Sequence, residues 1–240
     1  MYKLFFMEAT VYLIPVTLGD TDHSRTLPAY NREVILSLKH FIVENVRTAR
    51  RFLKKTAPSV VIDALHFSLL NEHTSPEEMA GMLAPLSEGM SVGLMSEAGC
   101  PAVADPGAAI VAIAQRKGYR VVPLTGPSSI LLALMASGFN GQRFAFYGYL
   151  PVDASKRAAC IKALEARMHA EGETQIFIET PYRNNKLLED LIRACRPSTR
   201  LCVAANLTCD DESIRTRSVA EWAKKKPDLN KKPAIFLIGR

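Results

Sequence analysis

Short apolar runs alternate with longer amphipathic stretches along most of the chain. VYLIPV (11–16), KHFIV (39–43), SVVIDAL (59–65), SVGLMS (91–96) and YRVVPL (119–124) read as buried strands. The spacing predicts helices over 45–55, 75–87 and 107–117 between them. Strands and helices in that rhythm build a parallel sheet covered on both faces. The second half repeats the alternation, with strands at FAFYGYL (144–150), TQIFIET (174–180), RLCVAANL (200–207) and AIFLIG (234–239). Helices are expected there near 128–138, 154–170, 183–195 and 218–226. Ser75-Pro76-Glu77-Glu78 supplies a cap, a first-turn proline and two acids, which start a helix at that point. The turn TGPSS (125–129) marks the seam. The expectation is two α/β domains, residues 1–121 and 122–240, without a flexible linker.

The helix after Glu44 carries a second pattern. Ile42, Val46, Ala49 and Leu53 fall on one face, and Arg47, Arg50, Arg51, Lys54 and Lys55 cluster on the other. Such a face can track a phosphate backbone. It is equally the solvated side of a helix whose C-terminal cations suit the macrodipole. The wider charge balance bears on the choice. The net charge is +6, residues 1–120 are neutral, and residues 121–240 hold 18 basic and 12 acidic side chains. A basic half suggests a polyanionic partner, most often nucleic acid, although solubility alone accounts for an excess of this size.

Composition excludes several classes. A chain that is 48% hydrophobic and 22% charged has a real core and is no disordered tail. Cys100, Cys160, Cys195, Cys202 and Cys209 form no C-x-x-C pair and have no accompanying histidine spacing. That argues against zinc, any other metal and a disulfide scaffold, and it fits a reducing cytoplasm. The opening MYKLFFM is apolar for seven residues only, well short of the ~18 that a membrane span requires. Glycine motifs for a dinucleotide or a nucleotide triphosphate are absent, and so is G-x-S-x-G.

Three strand-end loops nevertheless look built for a ligand: 15–20, 96–107 and 125–130. Ligands of parallel sheets bind at the carboxyl ends of strands, where loops converge. Small residues let the backbone touch the ligand, and prolines fix the loop beforehand. Asp105 reads as the cap of the helix that starts near Gly107.

PVTLGD, SEAGCPAVADPG, VVPLTGPSSILLALMASG, FYGYLP and IFIETPYR, in that order and spacing, resemble the tetrapyrrole methylase superfamily. Within it the sequence is most similar to the small-subunit ribosomal RNA 2′-O-methyltransferase I family, from about Val11 to Gly239. The resemblance implies a homodimer of two-domain α/β subunits, the N-terminal sheet mostly parallel and the C-terminal sheet mixed. It also implies S-adenosylmethionine bound folded in the cleft between the domains, with RNA as the acceptor. By the same resemblance Ser96, Glu97, Ala98, Gly99, Cys100 and Pro101 line the methionine end. Gly126, Ser128, Ser129 and Ile130 pass the cofactor from the other side. Leu18, Thr180, Ala205, Asn206 and Ile235 complete the pocket. Arg47, Arg50, Arg51, Lys54 and Arg183 are the candidate RNA contacts. A sulfonium methyl donor needs a dry, rigid wall with carbonyl oxygens nearby, which a small-residue loop braced by Pro101 and Pro106 can supply. A ribose hydroxyl needs a base, and Glu179 is the candidate, with hydrogen bonding to cofactor or turn as its other reading.

The family pattern changes in places. Glu-Asp-Thr-Arg is here Glu44-Asn45-Val46-Arg47, and the usual Ser-Asp-Ala-Gly has Glu97 at its acid. His-Glu-His-Asn is Asn71-Glu72-His73-Thr74, in which His73 reads as a structural histidine. Ala-Arg-Glu-Leu-Thr is Ala204-Ala205-Asn206-Leu207-Thr208. The sequence ends at the last strand, where many members carry an extension. These departures keep two alternatives open: a tetrapyrrole or other small-molecule acceptor, and a non-catalytic RNA-binding relative.

Overall fold

The structure, a computed structural model, describes residues 8–240. MYKLFFM lies outside the described residues. The chain divides into two compact units, Met1–Pro127 and Ser128–Arg240.

The first unit runs β1 (Thr10–Ile14), α1 (Ala29–Ser37), β2 (His40–Val43), α2 (Val46–Thr56), β3 (His66–Leu69), α3 (Pro76–Gly81), α4 (Ala84–Ser87), β4 (Val92–Met95), α5 (Gly107–Arg116) and β5 (Arg120–Pro123). The strands are all parallel, in the order β3-β2-β4-β1-β5. Successive strand residues point to opposite faces, so each side has its own core. Ile14, Phe41 and Met95 pack with Val34 and Ile35 of α1 and Phe52 and Leu53 of α2. Val11, Ile42 and Leu94 pack with Leu83, Leu86 and Ile110 from α3 to α5.

The second unit runs α6 (Ser129–Ser137), β6 (Phe144–Tyr149), α7 (Ala154–Glu171), β7 (Thr174–Ile178), α8 (Asn184–Ala194), β8 (Arg200–Ala205), β9 (Ser213–Ser218), α9 (Val219–Lys224) and β10 (Ala234–Gly239). Its sheet is ordered β6-β7-β10-β8-β9, with only β6 and β7 parallel. Leu164, Leu188, Leu191 and Trp222 close one face over Phe177, Val203 and Phe236. A buried ion pair clamps α7 to α8: Arg157 donates to Asp190 Oδ2 at 2.6 and 2.8 Å, and to the carbonyls of Pro151 and Val152.

Several elements depart from the sequence pattern. SVVIDAL (59–65) is no strand. Val60 turns back on Ala57 and is buried beside α2, residues 62–64 form a 3-10 turn, and Val61 is exposed. The strand is the next segment, HFSL, an edge strand half open to solvent whose weak apolar content hid it. The helix expected over 75–87 starts with the full Ser75–Glu78 capping box but breaks into α3 and α4, because Pro85 cannot continue an earlier turn. α1 and β9 are additional elements. The β9 sequence SIRTRS is too polar to register as a buried strand.

Candidate active site at the carboxyl ends of β1 and β4

β1 and β4 are hydrogen-bonded neighbours, but their connections leave in opposite senses. The chain from β1 goes to α1 on one face, and the chain from β4 goes to α5 on the other. Loops that part in this way open a crevice at the strand ends, the usual ligand position in an open α/β sheet.

The three loops at this edge are knit together. Val16 and Gly99 exchange both backbone hydrogen bonds, at 2.9 and 3.0 Å, an antiparallel bridge across an otherwise parallel sheet edge. Gly99 has a φ of +73°, and a Cβ there would lie 3.3 Å from the Leu18 side chain. Gly126 presses so closely on the Pro15 ring that a Cβ would lie 2.2 Å from its Cγ. The Cys100 thiol donates to the Pro127 carbonyl at 3.5 Å, and the buried Asn31 of α1 donates to the Thr125 carbonyl at 2.9 Å. Glycine is required at 126 because the Pro15 ring lies where a side chain would have to go, and at 99 because the backbone there is left-handed.

The 96–107 loop is stiff beyond its prolines. Ala102 and Ala104 both hold left-handed backbone, φ +65° and +58°, which costs an L-residue about 1–2 kcal/mol. Asp105 holds the shape by accepting from the Ala102 and Gly107 N–H groups at 2.9 and 2.6 Å. The N-cap of α5 is Pro106, so Asp105, one residue earlier, ties the start of the helix to the loop instead of capping it. Burial pushes the Asp105 carboxyl up despite these bonds. Glu44, just past β2, accepts from the Glu97 N–H at 3.2 Å, and burial raises its carboxyl too, with the Asp105 charge adding to the effect. Glu97 Oε1 accepts from Thr48 at 2.6 Å. Glu44, Glu72, Asn71 and Asp105 line a cavity of about 640 Å³ beside this loop. The acidic surroundings fit a cationic ligand group better than an anionic one.

Two of the family departures have local explanations. Asn45 is the N-cap of α2 and accepts from the Arg47 and Thr48 N–H groups at 2.9 and 3.3 Å, work an aspartate would do equally well. Asn206 has a φ of +51°, a conformation asparagine tolerates, and donates to Asp211 at 2.6 Å.

In the second unit the antiparallel pairing brings the ends of β7 and β8 and the start of β10 to one edge. Ile235 pairs with Ile178 and Ala204, Ala234 pairs with Ala205, and the Asn206 N–H reaches the Pro233 carbonyl at 2.9 Å. Glu179, Thr180, Ala205, Asn206 and Ile235 therefore stand together. Ser128 is the N-cap of α6, ahead of Ser129 and Ile130. Glu179 is buried, and its Oε1 accepts from the Thr180 N–H at 2.7 Å and from Arg183 at 2.7 and 3.0 Å. Arg183 is thus tied to the carboxylate of its own turn.

On α2 the apolar face is buried as expected, through Ala49 and Leu53. Three cations of the opposite face have partners in their own unit. Arg50 meets Asp63 at 2.7 Å, Lys55 meets Asp20 at 2.9 Å, and Lys54 donates to the Pro58 and Val60 carbonyls. Arg47 and Arg51 are exposed. His73 is not a structural histidine: its side chain is 85% exposed, 3.5 Å from Glu72. Among the described residues no three His, Cys, Asp or Glu side chains form a metal site, and no helix is long and apolar enough to cross a membrane.

Residues 10–223 match the model of the tetrapyrrole (corrin/porphyrin) methylases. The chain belongs to the tetrapyrrole methylase family. Among its relatives is ribosomal RNA small subunit methyltransferase I of Leptospira borgpetersenii, 35% identical over 98% of this chain and 89% of the relative. The protein of that name from Escherichia coli O157:H7 is 29% identical over 96% and 78%. Among solved structures, diphthine synthase aligns with a TM-score of 0.67 at 17% identity, covering 96% of this chain and 90% of that one. The methyltransferase CobJ aligns at 0.64 and 16%, covering 97% and 93%. The tetrapyrrole methylase fold therefore holds for both units. Sequence patterns single out the three loops, Pro15 among them, and name Glu44 only as part of a family motif; they miss Asn31, whose role depends on a contact with a loop distant in sequence.

Proposed function

We propose that this tetrapyrrole methylase family member transfers the methyl group of S-adenosylmethionine to RNA, at a ribose 2′-hydroxyl of the small ribosomal subunit. The observation that carries the reading is the knitted rim of β1, β4 and β5, in a chain whose relatives are named ribosomal RNA methyltransferases. The residues suit the cofactor. Gly99 and Gly126 let the three loops of the rim approach closely, and Glu44, Glu97 and Asp105 make its surroundings negative. When bound, S-adenosylmethionine supplies an electrophilic methyl on a positively charged sulfur.

Ser96, Ala98, Gly99, Cys100 and Pro101, with Leu18 and Gly126, are proposed to hold it in the first unit. Ser128, Ser129, Ile130, Thr180, Ala205, Asn206 and Ile235 are proposed as its contacts in the second. A rim fixed by the Val16–Gly99 bridge and the prolines does not have to reorganise during reaction, which favours an in-line displacement. The acceptor hydroxyl must lose its proton. We assign that step to Glu44, whose raised carboxyl is a stronger base than an exposed one, while the engaged Oε1 of Glu179 fits its turn-holding role. The same reading makes the protein a cytoplasmic homodimer.

The test uses tritiated S-adenosylmethionine and small subunits from a strain lacking the gene. Label in a ribose of the small-subunit RNA is the expected result. Label in a small-molecule fraction with none in RNA overturns the acceptor, and no cofactor binding by calorimetry at millimolar concentration overturns the enzyme.

A further inference from the structure

The second unit contains a basic cavity that borders the proposed cofactor contacts Ala205 and Asn206 but whose cations methyl transfer leaves without a role. β9 is an edge strand paired with β8, Ala205 opposite Ser213, Val203 opposite Arg215 and Leu201 opposite Arg217. Ser213, Arg215 and Arg217 therefore face the same side as Val203 and Ala205, which are buried at 3% and 4% exposure. Where the neighbouring strand presents core residues, β9 presents arginines. They line a cavity of about 320 Å³, whose opposite wall is Trp222 of α9 and the following segment with Lys225, Lys226 and Lys232. The Arg217 guanidinium lies 5.0 Å from the centre of the Trp222 ring, and the indole N–H is anchored on the Leu201 carbonyl at 2.9 Å.

An inward charge on an edge strand deters sheet-to-sheet association, but that purpose needs nothing from the opposite wall. Here five cations from two elements converge on one concavity that holds two carboxylates, Asp211 and Asp228. Each of those accepts from a neighbouring asparagine side chain, Asn206 and Asn185. Lys226 has Glu189 at 3.5 Å, and Glu221 lies near Arg217. A surplus of like charge around a walled hollow focuses positive potential and invites a polyanion. The contrast with α2 is direct, since most of its cations are anchored within their own unit.

We propose that this cavity is a phosphodiester subsite, in which Arg215, Arg217, Lys225, Lys226 and Lys232 hold the backbone of the RNA acceptor. The proposal rests on the reading of RNA as substrate and gives it a defined contact surface. Asn206, proposed above as a cofactor contact, lies at its lip, so RNA held here runs toward the sheet edge that carries Thr180 and Ile235.

Trp222 is the sole tryptophan of the chain, so its emission reports on this cavity alone. The full-length protein is titrated with a fluorescein-labelled 20-nucleotide single-stranded RNA across a series of salt concentrations. Anisotropy gives the affinity, and an unlabelled copy of the RNA is used to follow Trp222. The expected result is a change in Trp222 emission on binding. In R215A/R217A the affinity should fall at least tenfold, and the slope of log K against log salt should fall by about two. K225Q/K226Q, altered only on the exposed segment, should lose affinity in the same direction if the arginine variant fails to fold. Unchanged affinity and slope in a folded variant, or a silent Trp222 at saturating RNA, overturns the proposal. So does a wild-type protein that binds no RNA. Normal binding by the variants, with label still entering ribosomal RNA, removes the subsite and leaves the function standing. RNA seated at Trp222 without methyl transfer does the reverse.

Discussion

A glycine whose missing side chain is occupied by a proline ring has no room to change. Gly126→Ala should cost about 1–3 kcal/mol, because the new methyl meets Pro15 and both are held by loops that cannot move apart. Urea unfolding and calorimetry with S-adenosylmethionine should both register the change. Gly141→Ala, whose Cβ has open space around it, serves as the control and should stay within ~0.5 kcal/mol of wild type. Glu44 and Glu179 give a second contrast at this scale. Glu44→Gln should lower kcat by about 10²–10⁴, with a much smaller loss of cofactor affinity. Glu179→Gln should chiefly loosen the Thr180–Arg183 turn and lower the melting temperature. Gly99 and Gly126 were legible in sequence as small residues within proline-braced loops. Asn31 was not, because nothing local announces that a helical asparagine will be buried against a carbonyl 94 positions away.

The α7–α8 clamp shows what a helix pair depends on. Burial alone would raise the Asp190 carboxyl, but hydrogen bonds from Arg157, Lys186 and Arg193 together hold it below the usual carboxylate range. A group depressed in the folded state stabilises it above the unfolded pKa of about 3.9, and that contribution drains away as pH falls through the folded value. Asp190→Asn should therefore cost roughly 3 kcal/mol at pH 7, since it leaves Arg157 buried without its counter-charge. The gap from wild type should narrow steadily below pH 4, as read by urea midpoints across pH. Elements with a marked apolar face, such as α2 and α8, or a continuous apolar run, such as β8 and β10, could be read from the chain. HFSL and SIRTRS could not, because an edge strand is defined by its neighbour rather than by its own apolar content. Val60 and Ile62 misled in the opposite direction: their burial belongs to a turn under α2.

Across the whole molecule, charge and architecture divide at the same place. The residues up to Pro127 are balanced, and the whole surplus of six positive charges lies in Ser128–Arg240. That asymmetry was visible in the sequence, where the helical face of α2 drew attention first. Only the folded second unit shows that residues from β9 and from the segment after α9 surround one hollow. The family motifs were equally visible, because the backbone shapes they enforce require glycine and proline at fixed spacings. The parallel and mixed sheets followed from them.

The bridge between Val16 and Gly99 has a consequence for timing. Both amides sit in irregular turns, where deuterium normally enters within seconds, yet each is locked to its partner across the two central strands. They should exchange with solvent as slowly as the amides of Leu13 and Leu94, so the bridge opens only when the whole unit does. On the proposed reading, turnover proceeds by movement around this fixed bridge, never by loosening of it.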